Sequence, residues 1–265
     1  MIKQRRLFHI RYFIYLSYDG RAYHGWQVQP NAESVQGVLN RALTTLLRRP
    51  TEVTGAGRTD TGVNAALMVA HFDAEQPLDT QRLTDKLCRI LPPDIAVSRI
   101  VPVKKEAHAR FTATSRTYHY HVYTEKNPFR RHYAVRLFFR PDFELMNRAS
   151  ALLLQTEDFT SFSKLNTDVK TNICHVTRAR WTETEPGLWR FEITADRFLR
   201  NMVRAVVGTL LEVGRGRLTV EGFKQIIDSK DRCAAGESVA GYALSLVDIA
   251  YPADIFLTEP TLAAE

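Results

Sequence analysis

The chain has 265 residues, of which 45% are hydrophobic and 25% charged, enough for one or two domains whose core needs no disulfide or metal to form. That composition excludes disordered and fibrous classes. No apolar run approaches the roughly 18 residues of a membrane span, and Lys3, Arg5 and Arg6 break any signal-peptide core, so a cytoplasmic protein is expected.

The first predicted element is a strand over Ile10 to Tyr18, rich in aromatics and ended by Asp19-Gly20. Ser34 is placed to cap a helix whose stripe is Val35, Val38, Leu39, Ala42, Leu43 and Leu46, stopped by Pro50. A Gly-rich stretch from Thr54 to Gly62 precedes a strand over Leu67 to Ala74. Asp79 caps a helix bearing Leu83, Leu87 and Ile90, which Pro92-Pro93 end. A strand over Ile95 to Val103 closes a first unit, read as residues 1–105. The second unit, read as residues 106–265, opens on a strand over Arg116 to Tyr123. Tyr118, Tyr120 and Val122 share one of its faces; His119, His121 and Tyr123 share the other. A helix capped by Asp142, a hairpin of Ile173 to Thr182 with Leu188 to Ala195, a helix over Met202 to Val213, a helix capped by Thr219 and a strand over Leu244 to Tyr251 follow. The tail after Pro252 is expected to be loosely ordered. Strands and helices mix without regular βαβ alternation. The fold class is therefore α+β: two α/β units sharing an extended, mostly antiparallel sheet, with helices packed on one face.

The net charge is +7, and 27 Arg stand against 9 Lys. Arginine forks bind phosphate well and stack on bases. Nine basic residues and two acidic ones lie between Lys104 and Arg140, so that window carries the whole excess. With aromatics interleaved, it reads as an electrostatic footprint for a polyanion. Cys88, Cys174 and Cys233 are far apart, form no Cys-x-x-Cys, and read as small buried thiols.

The segment Gly55-Ala56-Gly57-Arg58-Thr59-Asp60-Thr61-Gly62 is the first candidate for chemistry. Its glycines permit unusual backbone shapes and close approach by a ligand. An Arg58 guanidinium pointing at Asp60 would keep that carboxylate ionised, available as a covalent nucleophile; otherwise Asp60 is a turn residue bonding its own backbone. The stretch lacks the third glycine of a dinucleotide fingerprint and the Gly-Lys-Ser/Thr of a P-loop. Asp60-Thr61-Gly62 occurs once, whereas aspartic-protease chemistry needs two carboxylates sharing a proton. His119 and His121 share a strand face, more as a polar sheet surface than as metal ligands. Farther on, Arg200 and Arg204 are four apart, as on one helix face. Gly208 continues that line and allows a close backbone approach, with Arg197, Arg215 and Arg217 extending the charge.

The chain resembles the tRNA pseudouridine synthase A family along nearly its whole length. The resemblance rests on Tyr18-Asp19-Gly20, Tyr23-His24-Gly25-Trp26-Gln27, Val35-Gln36-Gly37, Gly55 to Asp60, Val69-Ala70-His71-Phe72-Asp73, His108-Ala109-Arg110-Phe111, Arg116-x-Tyr118-x-Tyr120, Asp158-Phe159-x-Ser161-Phe162, Phe198 to Arg204 and Val207 to Gly214. It implies isomerisation of uridine to pseudouridine at nucleotides 38, 39 and 40 of the tRNA anticodon arm, by a homodimer, without metal or organic cofactor. By match, Asp60 is the nucleophile acting on a flipped-out uridine, Tyr118 the ring that stacks on the uracil, and Arg58 and Arg204 the catalytic basic residues near the nucleophile, Arg204 pairing with its carboxylate. Arg116 and Arg200 are assigned to substrate binding. The competing reading is a non-catalytic tRNA-binding protein or tRNA folding chaperone. Three stretches depart from the family pattern: Thr61-Gly62-Val63-Asn64 after the nucleophile, Asp196-Arg197 before Phe198, and Gly236-Glu237-Ser238-Val239-Ala240-Gly241, where a proline is usual.

Overall fold

A computed structural model of the chain describes residues 9–164 and 170–257. In chain order it contains β1 (Ile10–Tyr18), α1 (Val35–Leu47), β2 (Thr54–Gly55), β3 (Asn64–Ala74), α2 (Thr80–Ile90), β4 (Ile95–Val103), β5 (Ser115–Tyr123), β6 (Val135–Arg136), α3 (Phe143–Leu152), β7 (Val176–Glu185), β8 (Leu188–Ala195), α4 (Met202–Gly214), α5 (Val220–Ser229) and β9 (Leu244–Ala250). The strands hydrogen-bond in the order β4-β1-β3-β9-β5-β8-β7, with β2 on β3 and β6 on β5. The pairings β1–β3, β1–β4, β2–β3, β5–β8 and β7–β8 are antiparallel, and β5–β6 is parallel. The fold is thus the mixed, mostly antiparallel α+β class expected.

The helix starts are set locally. Ser34, Asp79, Asp142 and Thr219 each accept the backbone N–H three residues on, satisfying a donor that has no partner within the helix.

By contact the chain falls into two compact units. One takes the chain up to Thr61, then Ala65–Thr114 and the chain from Ile249; the other takes Gly62–Asn64 and Ser115–Asp248. This differs from a division into 1–105 and 106–265, because the chain returns to the first unit at its far end. There Thr114 N–H donates to the Ala250 carbonyl, Lys104 N–H to that of Ile255 and Leu257 N–H to that of Pro102. Residues 253–257 are accordingly seated along β4, with Ile255 buried, rather than loose; the tail beyond Leu257 lies outside the described residues.

In the first unit β1 is buried on both faces, which explains its unbroken apolar run. Tyr12 stacks on Phe72 of β3 at 5.7 Å and accepts the Leu78 N–H just before α2. Phe13, pointing the other way, meets Tyr251 at 5.0 Å and Phe256 at 6.4 Å.

The second unit follows the strand period closely. Tyr120 and Val122 of β5, Phe191 and Ile193 of β8, and Ala179 and Trp181 of β7 enter one core with Met146 of α3, Val206 and Leu210 of α4 and Phe223 of α5. The opposite face is polar: Glu192 receives His119, Arg178 and Arg190. His119 Nε2 lies 3.1 Å from the Glu192 carboxylate. Of the cysteines only Cys174 is buried; Cys88 and Cys233 are exposed, against the expectation for all three.

Four histidines carry a consequence for stability. Burial pushes His71 down to about 4, with Arg11 and His108 adding to the effect against Asp73. Burial likewise pushes His121 down to about 4, with His119 and Arg190 adding, and it lowers His108 and His119. The unfolded chain, with ordinary histidines near about 6.5, therefore binds more protons than the folded one between those values. Their contribution is intact above about pH 6.5 and is lost as the pH falls toward 4. The urea midpoint is expected to be clearly lower at pH 5 than at pH 7.5; equal midpoints would contradict these neutral, partly to fully buried imidazoles.

Candidate active site

The Gly-rich stretch leaves the sheet where β2 pairs with β3, Thr54 opposite His71 and Gly55 opposite Ala70. Ala56 N–H then donates to the Val69 carbonyl at 2.8 Å. Beyond that point Thr59 is the anchor. It is buried, its hydroxyl lies 2.9 Å from the Tyr18 hydroxyl, and its carbonyl accepts the Trp26 N–H at 3.1 Å.

Two glycines make this seat possible. Gly25 has φ +87°, and a Cβ there would lie 2.3 Å from the Thr59 carbonyl oxygen. A Cβ on Gly55 would lie 2.5 Å from the Trp26 indole nitrogen. The close approach at Gly55 is thus to an indole of the same unit rather than to a ligand. The 23–27 motif is in turn tied to α1: Val35 N–H donates to the Gly25 carbonyl and Gln36 N–H to that of Trp26. The Gln36 side chain bridges Val28 N–H and the Val53 carbonyl. Tyr18, Gly25, Trp26, Gln36 and Thr59 therefore position the loop. Sequence reasoning gave these residues no role, although the motifs containing all five were visible.

Asp60 follows this anchor directly and is half-buried, while Arg58 and Thr61 are exposed. Arg58 forms no ion pair among the described residues, so the two-residue spacing does not produce the internal Arg58–Asp60 pairing it allows.

The remaining candidates belong to the second unit. Tyr118 is half-buried on β5, opposite Ile193 of β8, with its ring edge-on to Phe198 at 5.1 Å. Arg116, opposite Ala195, donates from its guanidinium to the Asp196 carbonyl at 2.7 Å. The Asp196 carboxylate accepts the N–H groups of His175 and Arg197. The unusual Asp196-Arg197 pair thus shapes the turn that brings Phe198 to Tyr118. Tyr120, next on that strand face, is fully buried, and burial pushes its phenol well above the usual range.

Arg200 and Arg204 do not share a helix face. α4 begins at Met202, and Asn201 before it adopts a left-handed conformation, φ 66°, with its amide on the Ser238 hydroxyl at 2.5 Å. Arg200 is exposed and lies outside the helical spacing. Arg204, half-buried on the helix, donates its Nε–H to the Val239 carbonyl at 2.7 Å, and Val239 N–H returns to the Arg204 carbonyl. Gly208, one turn on, permits this: a Cβ there would lie 1.8 Å from the Glu237 carbonyl oxygen. The close backbone approach expected at Gly208 is made by the 236–241 stretch, which holds Arg204 without the usual proline. Asn64, four residues after Asp60 and a departure from the family pattern, is buried and donates to the Tyr242 carbonyl at 2.8 Å.

The basic window is partly spent internally. Lys104 pairs with Asp254 and Arg130 with Glu185, and Arg136 lies 4.9 Å from the exposed Phe138 ring.

The profile described as tRNA pseudouridine synthase matches residues 14–112 and 149–252. The chain is 62% identical over 251 residues to the tRNA pseudouridine synthase A of Bacteroides thetaiotaomicron, covering 94% of this chain and 93% of that one. It is 59% identical to that of Parabacteroides distasonis, covering 94% and 99%, and 40% identical to that of Bacillus subtilis, covering 89% and 97%. The chain belongs to the tRNA pseudouridine synthase A family, whose activity is the isomerisation of uridine in tRNA. Among the described residues no helix is long and apolar enough to cross a membrane.

Proposed function

We propose that this enzyme converts uridine to pseudouridine at nucleotides 38, 39 and 40 of the tRNA anticodon arm, with Asp60 as its nucleophile. What supports this is the anchoring of Thr59 through both side chain and carbonyl, which fixes the backbone of the very next residue, a half-buried carboxylate. A stacked base is out of reach, so the target uridine leaves the helix, and Tyr118 offers it a ring to stack on. Arg58 and Arg204 assist the carboxylate as basic catalytic residues, and Arg116 and Arg200 bind the RNA. The enzyme acts in the cytoplasm as a homodimer.

The reaction balances within the substrate. The N1–C1′ bond breaks, the C5–C1′ bond forms, C5 loses a proton and N1 ends with one. Asp60 starts this by attack at C1′, by addition to C6 or by taking a sugar proton, each of which a carboxylate performs. No external electron or group is consumed.

The test is release of tritium from an anticodon-arm transcript labelled at uridine C5. Release stoichiometric with pseudouridine at nucleotides 38–40 is the expected result. Tight binding without release would favour the non-catalytic tRNA-binding reading.

A further inference from the structure

The His108-Ala109-Arg110-Phe111 motif is not absorbed by the site above. It lies in the first unit, after β4, in a loop where each backbone donor from 109 to 112 is satisfied. Ala109 N–H donates to His71 Nδ1 at 3.2 Å, and Arg110 and Phe111 N–H donate to His108 Nδ1 at 3.1 and 3.3 Å. Thr112 N–H donates to the His108 carbonyl, while the Thr112 hydroxyl accepts the His108 N–H. The carbonyls of Ala107 and Ala109 receive the Arg11 guanidinium and the Tyr251 hydroxyl. Both imidazoles use Nδ1 as acceptor, so both are neutral with the proton on Nε2.

This rigid loop presents two large side chains outward. Phe111 is 76% exposed, an unusual position for a phenylalanine. Its ring is backed by the His108 imidazole at 4.3 Å, which rests in turn on His71 at 4.5 Å. The Arg110 guanidinium carbon lies 5.6 Å from the ring centre. An ordered aromatic with a guanidinium beside it is how proteins hold unpaired nucleotides: the ring takes a base face and the cation a phosphate.

We propose that Arg110 and Phe111 form a second tRNA contact, in which Phe111 stacks on an unpaired base of the substrate and Arg110 engages a flanking phosphate. This rests on the tRNA reading above. A second copy of the chain is the weaker occupant, because a two-fold contact through this tip would set Arg110 against its own copy.

The test measures tRNA affinity and single-turnover pseudouridine formation for wild type, Phe111→Ala, Phe111→Leu, Phe111→Trp and Arg110→Gln. Phe111→Ala is expected to weaken binding roughly tenfold, with the single-turnover rate at saturation within about twofold and the melting temperature unchanged. Phe111→Trp restores binding, whereas Phe111→Leu, apolar but without a π face, does not. Arg110→Gln reduces the salt slope by about one phosphate's worth. Unchanged affinity in Phe111→Ala overturns the proposal, as does full rescue by Leu or a change of oligomeric state in Phe111→Ala. Wild type that neither binds nor modifies the tRNA overturns the functional reading with it; wild type that does both, matched by Phe111→Ala, overturns this inference alone.

Discussion

Asp60→Asn is expected to bind the anticodon-arm tRNA within about threefold of wild type and to lose turnover by at least roughly a thousandfold, as removal of a nucleophile does. The substitution keeps the shape of the side chain and removes its negative charge. It leaves Thr59 with both of its anchoring contacts, to Tyr18 and Trp26, so the loop backbone has no reason to move. Tritium release and a filter-binding isotherm on the same preparation separate the two effects. Near-wild-type release would remove Asp60 from the chemistry, while a parallel loss of binding would make it a binding residue.

Gly25→Ala is expected to damage catalysis from outside the reacting groups. A methyl at this position meets the Thr59 carbonyl oxygen at 2.3 Å and the Asp60 carbonyl carbon at 3.2 Å, on a backbone with φ +87°. Both obstacles are backbone, so the Asp60 loop must shift as a body. A displacement of about 1 Å is enough for roughly a hundredfold loss of rate, and the strained φ adds about 1–2 kcal/mol of destabilisation. Gly57→Ala is the control: a Cβ there meets nothing within 4 Å, so rate and melting temperature should stay near wild type. Equal rates for Gly25→Ala and Gly57→Ala would refute the seating of the loop on Gly25.

The parts of the fold that were legible in the sequence are those decided by near neighbours. The four capping residues act within three positions of themselves, and the alternation along β5 and β8 needs only one buried face. Boundaries set by distant partners were less legible. β3 starts at Asn64 rather than Leu67, and β7 runs over Val176–Glu185 rather than from Ile173, which makes an isolated bridge with Asp158 instead. In the candidate site, the loop from Gly55 to Asp60 was legible from its motif. Its anchoring was not, since Tyr18 and Thr59 are 41 residues apart and nothing local says that a glycine in one segment makes room for a carbonyl in another. Arg200 was misjudged for a local reason: the spacing of four suggested a helix, and the left-handed Asn201 starts that helix two residues later.

The return of the chain from Ile249 to the first unit has a consequence during synthesis. Tyr251, which holds the Ala109 carbonyl and packs on Phe13, is translated only after all of 115–248. At ribosomal rates of about 5–20 residues per second, that is a wait of roughly 7–27 s. Through that interval β1 lacks the cover that Tyr251 and Phe256 give to Phe13, and the Ala107–Thr112 loop lacks its Tyr251 hydrogen bond. The half of the protein that carries Asp60 is begun first and completed last.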